Sequence, residues 1–482
     1  MATNIKRILS YLGVVLAVLG LSMFFPMVLG IIDGDRHALV FGVVGLSGIL
    51  GGLGLRHGFN EFGDITSRDA YLLVVITWLV AGVYGAIPYL AYGVIPNFPE
   101  AFFETVSGFT TTGASVIADV EALERSVLLW RSLTHWLGGL GIVVLFVSLL
   151  SFFGNSGMQM FKAEATGPIK EKIAPRIKET AKILWLTYLV LTFVMILVMI
   201  LVGMTPFDAV CHVFSTISTG GFSTKNDSLI GFSPLIQVTL AFFMTTSGLS
   251  IGLFYAAYKH RSLKPFWKNE ELRLYLGLLI GVVCLNSLFL WKGGRQIPGA
   301  LVESYVQLAS VYTSSGFVNA DYTLWPPIGQ LLVLMIPFIG SCAGSTGGGL
   351  KAGRFLILCK SAKSIFTRIL HPRAVVNLRV NDRLITPEVM ASTQSFLFIY
   401  VLITLISTAV FCLADYDMLT SFSVVATCIN NVGPAFGQLG PMDNYGNMPA
   451  WSLYFMSFLM LLGRLELYTI LILFSKGFWQ ES

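Results

Sequence analysis

Hydrophobic residues in this chain fall in long uninterrupted runs joined by short polar stretches, from near the first residue to near the last. Ten runs are long enough to cross a bilayer as helices, roughly 8–32, 38–56, 70–92, 127–153, 182–203, 233–258, 272–291, 328–360, 392–414 and 449–475, the eighth of them interrupted. Four shorter apolar pieces lie between some of these, near 99–111, 206–218, 302–314 and 419–431. They are too short to cross alone and are expected to dip into the membrane and turn back. The pattern predicts an all-α polytopic membrane protein with ten spanning helices and four re-entrant half-helices. A transmembrane β-barrel would show short alternating segments instead.

Composition agrees. The 482 residues are 55% hydrophobic and 12% charged, with a mean hydropathy of +0.75. The first run, Ile8 to Ile32, follows Lys6 and Arg7; it is too long for a signal core and lacks a small-residue cleavage site, so a retained span is expected. The six cysteines form no CxxC pair, and the six histidines show no HExxH spacing. His135 and His212 are expected to be hydrogen-bonded packing residues. No metal, nucleophilic or acid–base constellation suggests an enzyme, and no cofactor is expected.

Charge sets an expected orientation. With ten spans, 24 of the 31 lysines and arginines fall on the side shared by both termini, chiefly in 154–182, 259–273 and 351–383. The positive-inside rule then puts both termini in the cytoplasm. The net charge of +5 follows from topology, so a nucleic-acid partner is not needed. The basic segments suit contact with membrane lipid headgroups.

The four short pieces resemble one another: PEAFFETVSGFTTTGAS (99–115), PFDAVCHVFSTISTGGFS (206–223), VESYVQLASVYTSSGFVN (302–319) and LTSFSVVATCINNVGPAFG (419–437). Each is a helix-like run, then a polar stretch, then a glycine at 113, 220, 316 or 433. A span stands before and after each piece, which divides the chain into two extra spans (1–69) and four repeats (70–160, 161–262, 263–372, 373–482). Irregular backbone at membrane depth survives only where it lines a cavity or is buried in protein. Four such loops meeting on one axis present rings of carbonyls that replace the hydration shell of a monovalent cation. Glycine supplies the required backbone angles, and helix C-termini aimed inward favour a cation.

These stretches, with CAGSTGGGLK (342–351) and GRLE (463–466), resemble the membrane subunit of bacterial Trk potassium uptake systems, the TrkH/TrkG type of the Trk–Ktr–HKT superfamily, over essentially the whole chain. The resemblance implies a potassium-translocating subunit of the bacterial inner membrane. Its pore would be built from four potassium-channel-like repeats in one polypeptide. It further implies a homodimer, and a cytoplasmic TrkA-type ring protein carrying nucleotide-binding domains. Carried over by position, the potassium-binding filter is Thr111-Thr112-Gly113, Ser218-Thr219-Gly220, Ser314-Ser315-Gly316 and Asn431-Val432-Gly433. Each loop keeps one filter glycine, so discrimination against sodium is expected to be weaker than in a Thr-Val-Gly-Tyr-Gly filter. An ion-coupled secondary transporter is the alternative, although inverted repeats would be expected there and these four units run in the same direction.

A second feature lies 26 to 30 residues beyond each filter glycine: Gly138-Gly139-Leu140-Gly141, Ser247-Gly248-Leu249-Ser250, the segment around Gly344, and Gly463-Arg464-Leu465-Glu466. Gly340 to Arg354 holds six glycines. Gly344 and Gly349 have P-loop spacing, but Leu350 stands where the lysine must be, and no strand precedes. The segment therefore reads as a helix broken at mid-membrane, placed to block or open the pore beneath the filter. The gate residues are Gly344, Ser345, Thr346, Gly347, Gly348, Gly349 and Lys351, with Arg464. Arg464, an arginine in a span, is expected either to oppose cation passage or to pair with a buried acid such as Glu104 or Glu466.

Overall fold

The computed structural model describes residues 5–59, 66–141, 177–373, 377–381 and 383–480. The second half of the run expected at 127–153, most of the basic stretch 154–182 and part of the loop 56–68 lie outside the described residues.

Helices α1 (Ile5–Ser22) and α2 (Phe24–Asp33) fill the first expected span, and α3 (Ala38–Phe59) returns against α1. A Cβ on Gly13 would lie 2.4 Å from Gly52 O, and one on Gly52 would lie 2.2 Å from Gly13 O; Gly20 and Gly45 repeat the arrangement. Only glycine permits this approach, and close backbone packing is what joins helices when lipid offers no hydrophobic drive. The hairpin rests on α4 (Ser67–Tyr92) and α6 (Arg125–Gly139).

Short helices α5 (Phe98–Phe109), α8 (Pro206–Ile217), α13 (Ile297–Tyr312) and α17 (Met418–Asn430) match the four short apolar pieces. Each is preceded by a long helix: α4, α7 (Ile177–Leu201), α12 (Glu270–Lys292) and α16 (Pro387–Leu413). The helix of each repeat's second span stops partway along its expected run. α6 ends at Gly139, halfway along its expected run. α9 (Pro234–Ser247) is bent by 85° from α10 (Ile251–His260). α14 (Pro327–Met335) and a 3-10 turn, Ile336–Phe338, lead into an irregular stretch that ends at α15 (Ala352–Leu370). α18 (Ala450–Arg464) is bent by 116° from the segment beginning with α19 (Leu467–Leu471). Left-handed residues mark three of these breaks: Gly141 (φ 86°), Gly340 and Gly344 (73° and 75°), and Glu466 (58°). Such a residue cannot continue a right-handed helix.

Among the described residues, six segments are long and apolar enough to cross a membrane: 5–33, α3, α4, α7, α12 and α16. Two more qualify if each bent pair is one span. Their outward faces are apolar, with Leu39, Val43, Leu46 and Leu50 exposed along one side of α3. This is the surface of a protein solvated by lipid. Among the described residues, a two-residue antiparallel ladder (Arg379 with Leu384, Val380 with Arg383) is a minor exception to helical secondary structure. Buried apolar side chains form two main clusters, one chiefly from α1 and α3–α6 with α16–α19, the other chiefly from α7–α10 with α12–α14. The irregular stretch after α14 runs between them, giving Cys342 to the second and Leu350 to the first.

Candidate functional site

The short helices end alike. Thr110, Ser218, Thr313 and Asn430 each turn the side chain back to the carbonyl four residues earlier, at 2.6–2.8 Å. The next residues, Thr111, Thr219, Ser314 and Asn431, are all left-handed, with φ between 53° and 58°. One residue further, the amides of Thr112, Gly220, Ser315 and Val432 donate to carbonyls five positions back at 2.7–2.9 Å. A left-handed threonine or serine is unfavourable by ~1–2 kcal/mol, and that strain recurs at three matched points, with asparagine, which tolerates the turn, at the fourth; such repetition is what a built site shows.

Glycines with positive φ come next: Gly113, Gly221, Gly316 and Gly433. A Cβ on Gly113 would lie 2.0 Å from Gly220 O, on Gly221 2.2 Å from Ser315 O, on Gly316 2.1 Å from Val432 O, and on Gly433 2.6 Å from Thr112 O. Loop one therefore abuts loop two, two abuts three, three abuts four, and four closes on one. The same four glycines line a vestibule of about 130 Å³. This corrects the register expected for the second loop. Thr219-Gly220-Gly221 corresponds to Thr111-Thr112-Gly113, while Ser218 closes the helix below. Gly220 instead faces His135, whose ring would lie 2.3 Å from a Cβ there. In the other three loops the left-handed residue and the positive-φ glycine are the first and last of Thr111-Thr112-Gly113, Ser314-Ser315-Gly316 and Asn431-Val432-Gly433.

Loops one and two are joined by a buried ion pair. Glu104 on α5 and Arg131 on α6 meet at 2.9 Å, with side chains 0% and 3% exposed. Glu104 also accepts from Ser115 Oγ and Val116 N. Arg131 reaches Ser223 O and covers the Phe222 ring at 4.1 Å, while His135 stacks on that ring at 4.0 Å. His135 and His212 are packing residues, bonded to Ser215 and to Asp208 O with Ser223. Further out, the Asn226 amide donating to Asp119 at 2.8 Å holds that carboxyl below the usual carboxylate range. The sequence carried a signal for the pair, since an arginine inside the run 127–153 requires a partner. Arg131→Met strands Glu104 and is expected to cost ~3–5 kcal/mol. Thermal unfolding of the purified protein checks this, and adding Glu104→Gln should recover part of the loss.

The glycine-rich stretch sits against the helix ends. Thr346 Oγ1 donates to Ile217 O at 3.0 Å, and Gly348 N donates to Ser314 Oγ at 2.6 Å. Gly348 also approaches Asn430 O, where a Cβ would lie at 2.1 Å. Within the stretch, Ser345 Oγ bonds Cys342 O and Ser341 Oγ, and Lys351, itself left-handed, folds its amine back to Gly347 O. Gly344 O accepts from Ile251 N, and Gly349 (φ 81°) packs against Pro337 O. The segment thus touches the ends of three short helices. Arg464 supplies the link to the fourth quarter. It donates to Thr346 O, Gly138 O and Gly139 O, each at 2.5 Å. The two acids expected as its partners are held by other arginines, Glu104 by Arg131 and Glu466 by Arg354, the latter at 2.6 and 3.2 Å. The space beside Lys351, Arg464 and Glu466 amounts to about 10 Å³, room for one water.

Lipid-facing helices around a centre of irregular backbone, open on one side and filled on the other, define a multi-pass membrane transport protein. The chain belongs to the TrkH family: the model of that family, described as a cation transport protein, matches residues 49–482. It is 38% identical to the Trk system potassium uptake protein TrkH of Salmonella typhimurium over 429 residues, 88% of each chain. It is 36% identical to the Trk system potassium uptake protein TrkG of Escherichia coli K12 over the full length of both. The crystal structure of the potassium transporter TrkH from Vibrio parahaemolyticus superposes with a TM-score of 0.89 at 33% identity, over 99% of this chain and 100% of that one.

Proposed function

We propose that this chain takes up potassium across the bacterial inner membrane through the ring of four loops, and that the glycine-rich segment is the gate. The carrying observation is the closed cycle in which each loop's glycine lies against a carbonyl of the next. Carbonyls held this near an axis can replace water around a monovalent cation. The short helices point their C-terminal, partially negative ends at the same place. In this reading 70–160, 161–262, 263–372 and 373–482 are four pore repeats of one polypeptide, and both termini are cytoplasmic.

The gate reading is supported by what residues 344–349 touch. Thr346 and Gly348 occupy the space under the helix ends where an ion leaving the ring would pass, and Arg464 fastens them while adding a positive charge to that path. Opening then requires the segment to leave. Its regulator in this proposal is a cytoplasmic TrkA-type ring protein, which carries the nucleotide sites that this chain's glycine-rich segment, with Leu350 in place of the P-loop lysine, does not supply. The functional unit is a homodimer with one pore per protomer.

The test is growth of a potassium-uptake-deficient bacterium at low potassium, with and without a TrkA-type partner. Rescue that depends on the partner is the expected result, and absence of rescue in both strains overturns the proposal. Uptake that vanishes when the proton or sodium gradient is collapsed at constant membrane potential would instead establish a coupled transporter.

A further inference from the structure

Residues 248–271 form a strap whose two ends are tied to three consecutive residues of the glycine-rich segment, Cys342 and Gly344 at one end and Ala343 at the other. At the near end Cys342 N donates to Gly248 O at 3.0 Å and Ile251 N donates to Gly344 O at 3.1 Å. At the far end Ala343 N donates to the Glu271 carboxylate at 2.6 Å. Between these anchors lie α10 and the short α11 (Lys264–Lys268). The 85° bend after α9 means that if α9 crosses the membrane, α10 lies along it. From residue 251 to 269 the strap has no acidic side chain. It exposes Tyr258 (82%), Leu263 (66%) and Trp267 (77%) together with Lys259, Arg261, Lys264 and Lys268. Trp267 precedes the start of α12, a membrane-crossing helix, by three residues.

Aromatic rings and cations interleaved on a segment that runs along the membrane, immediately before a span, are the composition that settles among lipid headgroups. The exclusively positive charge selects anionic ones. We propose that residues 258–268 bind anionic phospholipid headgroups, and that this binding steadies the strap and so holds the glycine-rich segment in its seat beneath the four loops. The proposal rests on the gate reading of residues 344–349. Its two halves are linked by the bonds to residues 342–344: a strap fixed in the headgroup layer restrains the segment at Gly344 from one end and at Ala343 from the other. Anionic lipid is then a brake on the pore.

The experiment uses the purified full-length protein in vesicles of phosphatidylcholine, alone or with phosphatidylglycerol. Two readouts are taken: Rb⁺ flux, and hydrogen exchange of the backbone amides of 340–349. Phosphatidylglycerol is expected to lower flux by about threefold or more and to slow exchange in 340–349. The variant Lys259→Gln/Arg261→Gln/Lys264→Gln/Lys268→Gln should lose both responses while keeping its flux in phosphatidylcholine. A variant that exchanges lysine for arginine, and arginine for lysine, at these four positions should retain them. Glu271→Ala should bind the lipid yet lose the slowed exchange at 340–349. An unchanged response in the glutamine variant, or no lipid effect on exchange in the parent protein, overturns the proposal. So does slowed exchange that appears only when a cytoplasmic protein is added, since the face then belongs to that partner. Slowed exchange without any change in flux leaves the lipid site standing and refutes the gate reading instead.

Discussion

Replacing Arg464 with alanine is expected to raise Rb⁺ flux through the purified protein by about tenfold or more in the absence of any regulator. The guanidinium donates to three carbonyls on two parts of the chain, Thr346 O and the pair Gly138 O and Gly139 O. Hydrogen bonds from a charged donor contribute about 1.5–3 kcal/mol each. Losing even part of that set moves a two-state equilibrium by an order of magnitude. The substitution also removes a half-buried positive charge from the space under the helix ends, where it opposes a cation. Arg464→Lys separates the two effects. A lysine keeps the charge but not the fork that reaches several carbonyls. Low flux in the lysine variant assigns the block to charge, and high flux assigns it to fastening. Removing residues from 344–349 should raise flux as well, and unchanged flux in both the alanine and the shortened variants contradicts the gate.

Gly316→Ala is expected to lower Rb⁺ flux by about a hundredfold or more while leaving a folded protein. At φ 74° an alanine is strained, and its methyl would lie 2.1 Å from Val432 O. Nothing in the ring yields without displacing a backbone carbonyl, and that carbonyl is one of those proposed to hold the ion. Gly299→Ala, at the other end of the same helix α13, meets no atom within 4 Å and serves as the control. Thermal unfolding alongside the flux assay distinguishes a damaged ring from an unfolded chain. Equal loss in both variants would mean that the helix, not the ring, is what Gly316 serves.

Much of this architecture is legible in the order of residues. The short helices lie within a few residues of their expected positions, because a run of about a dozen apolar residues closed by polar ones and glycine has few other fates in a membrane. The third begins earlier than expected, at Ile297, because Pro298 is compatible with a first helical turn and does not mark a loop. The second loop is misread by one residue because two glycines adjoin there. Composition favours neither Gly220 nor Gly221, and only the left-handed turn at Thr219 decides between them. The breaks in the second spans are signalled by Gly248 and by Gly463 with its neighbours, but the bends of 85° and 116° are set by packing. Arg464 is the residue whose contacts the sequence hides most fully. Three of its partners are the peptide carbonyls of Thr346, Gly138 and Gly139, a group every residue owns, so no pattern of side chains names them. Glu104 and Arg131 were each visible, and their pairing follows from the way α5 and α6 cross.

Because all four loops belong to one polypeptide, a substitution enters the ring once, where in a ring of identical subunits it would enter four times. Asn431 is an instance. It stands where the other three loops carry Thr111, Thr219 and Ser314, and its amide bonds both Thr112 Oγ1, at 3.0 Å, and Met460 O, at 2.9 Å. A hydroxyl has one proton and cannot serve both. One quarter has thus acquired a brace to the helix that ends in Arg464, and the other three were not obliged to copy it. Such a ring can evolve unevenly, with one side given to regulation and the others to the ion.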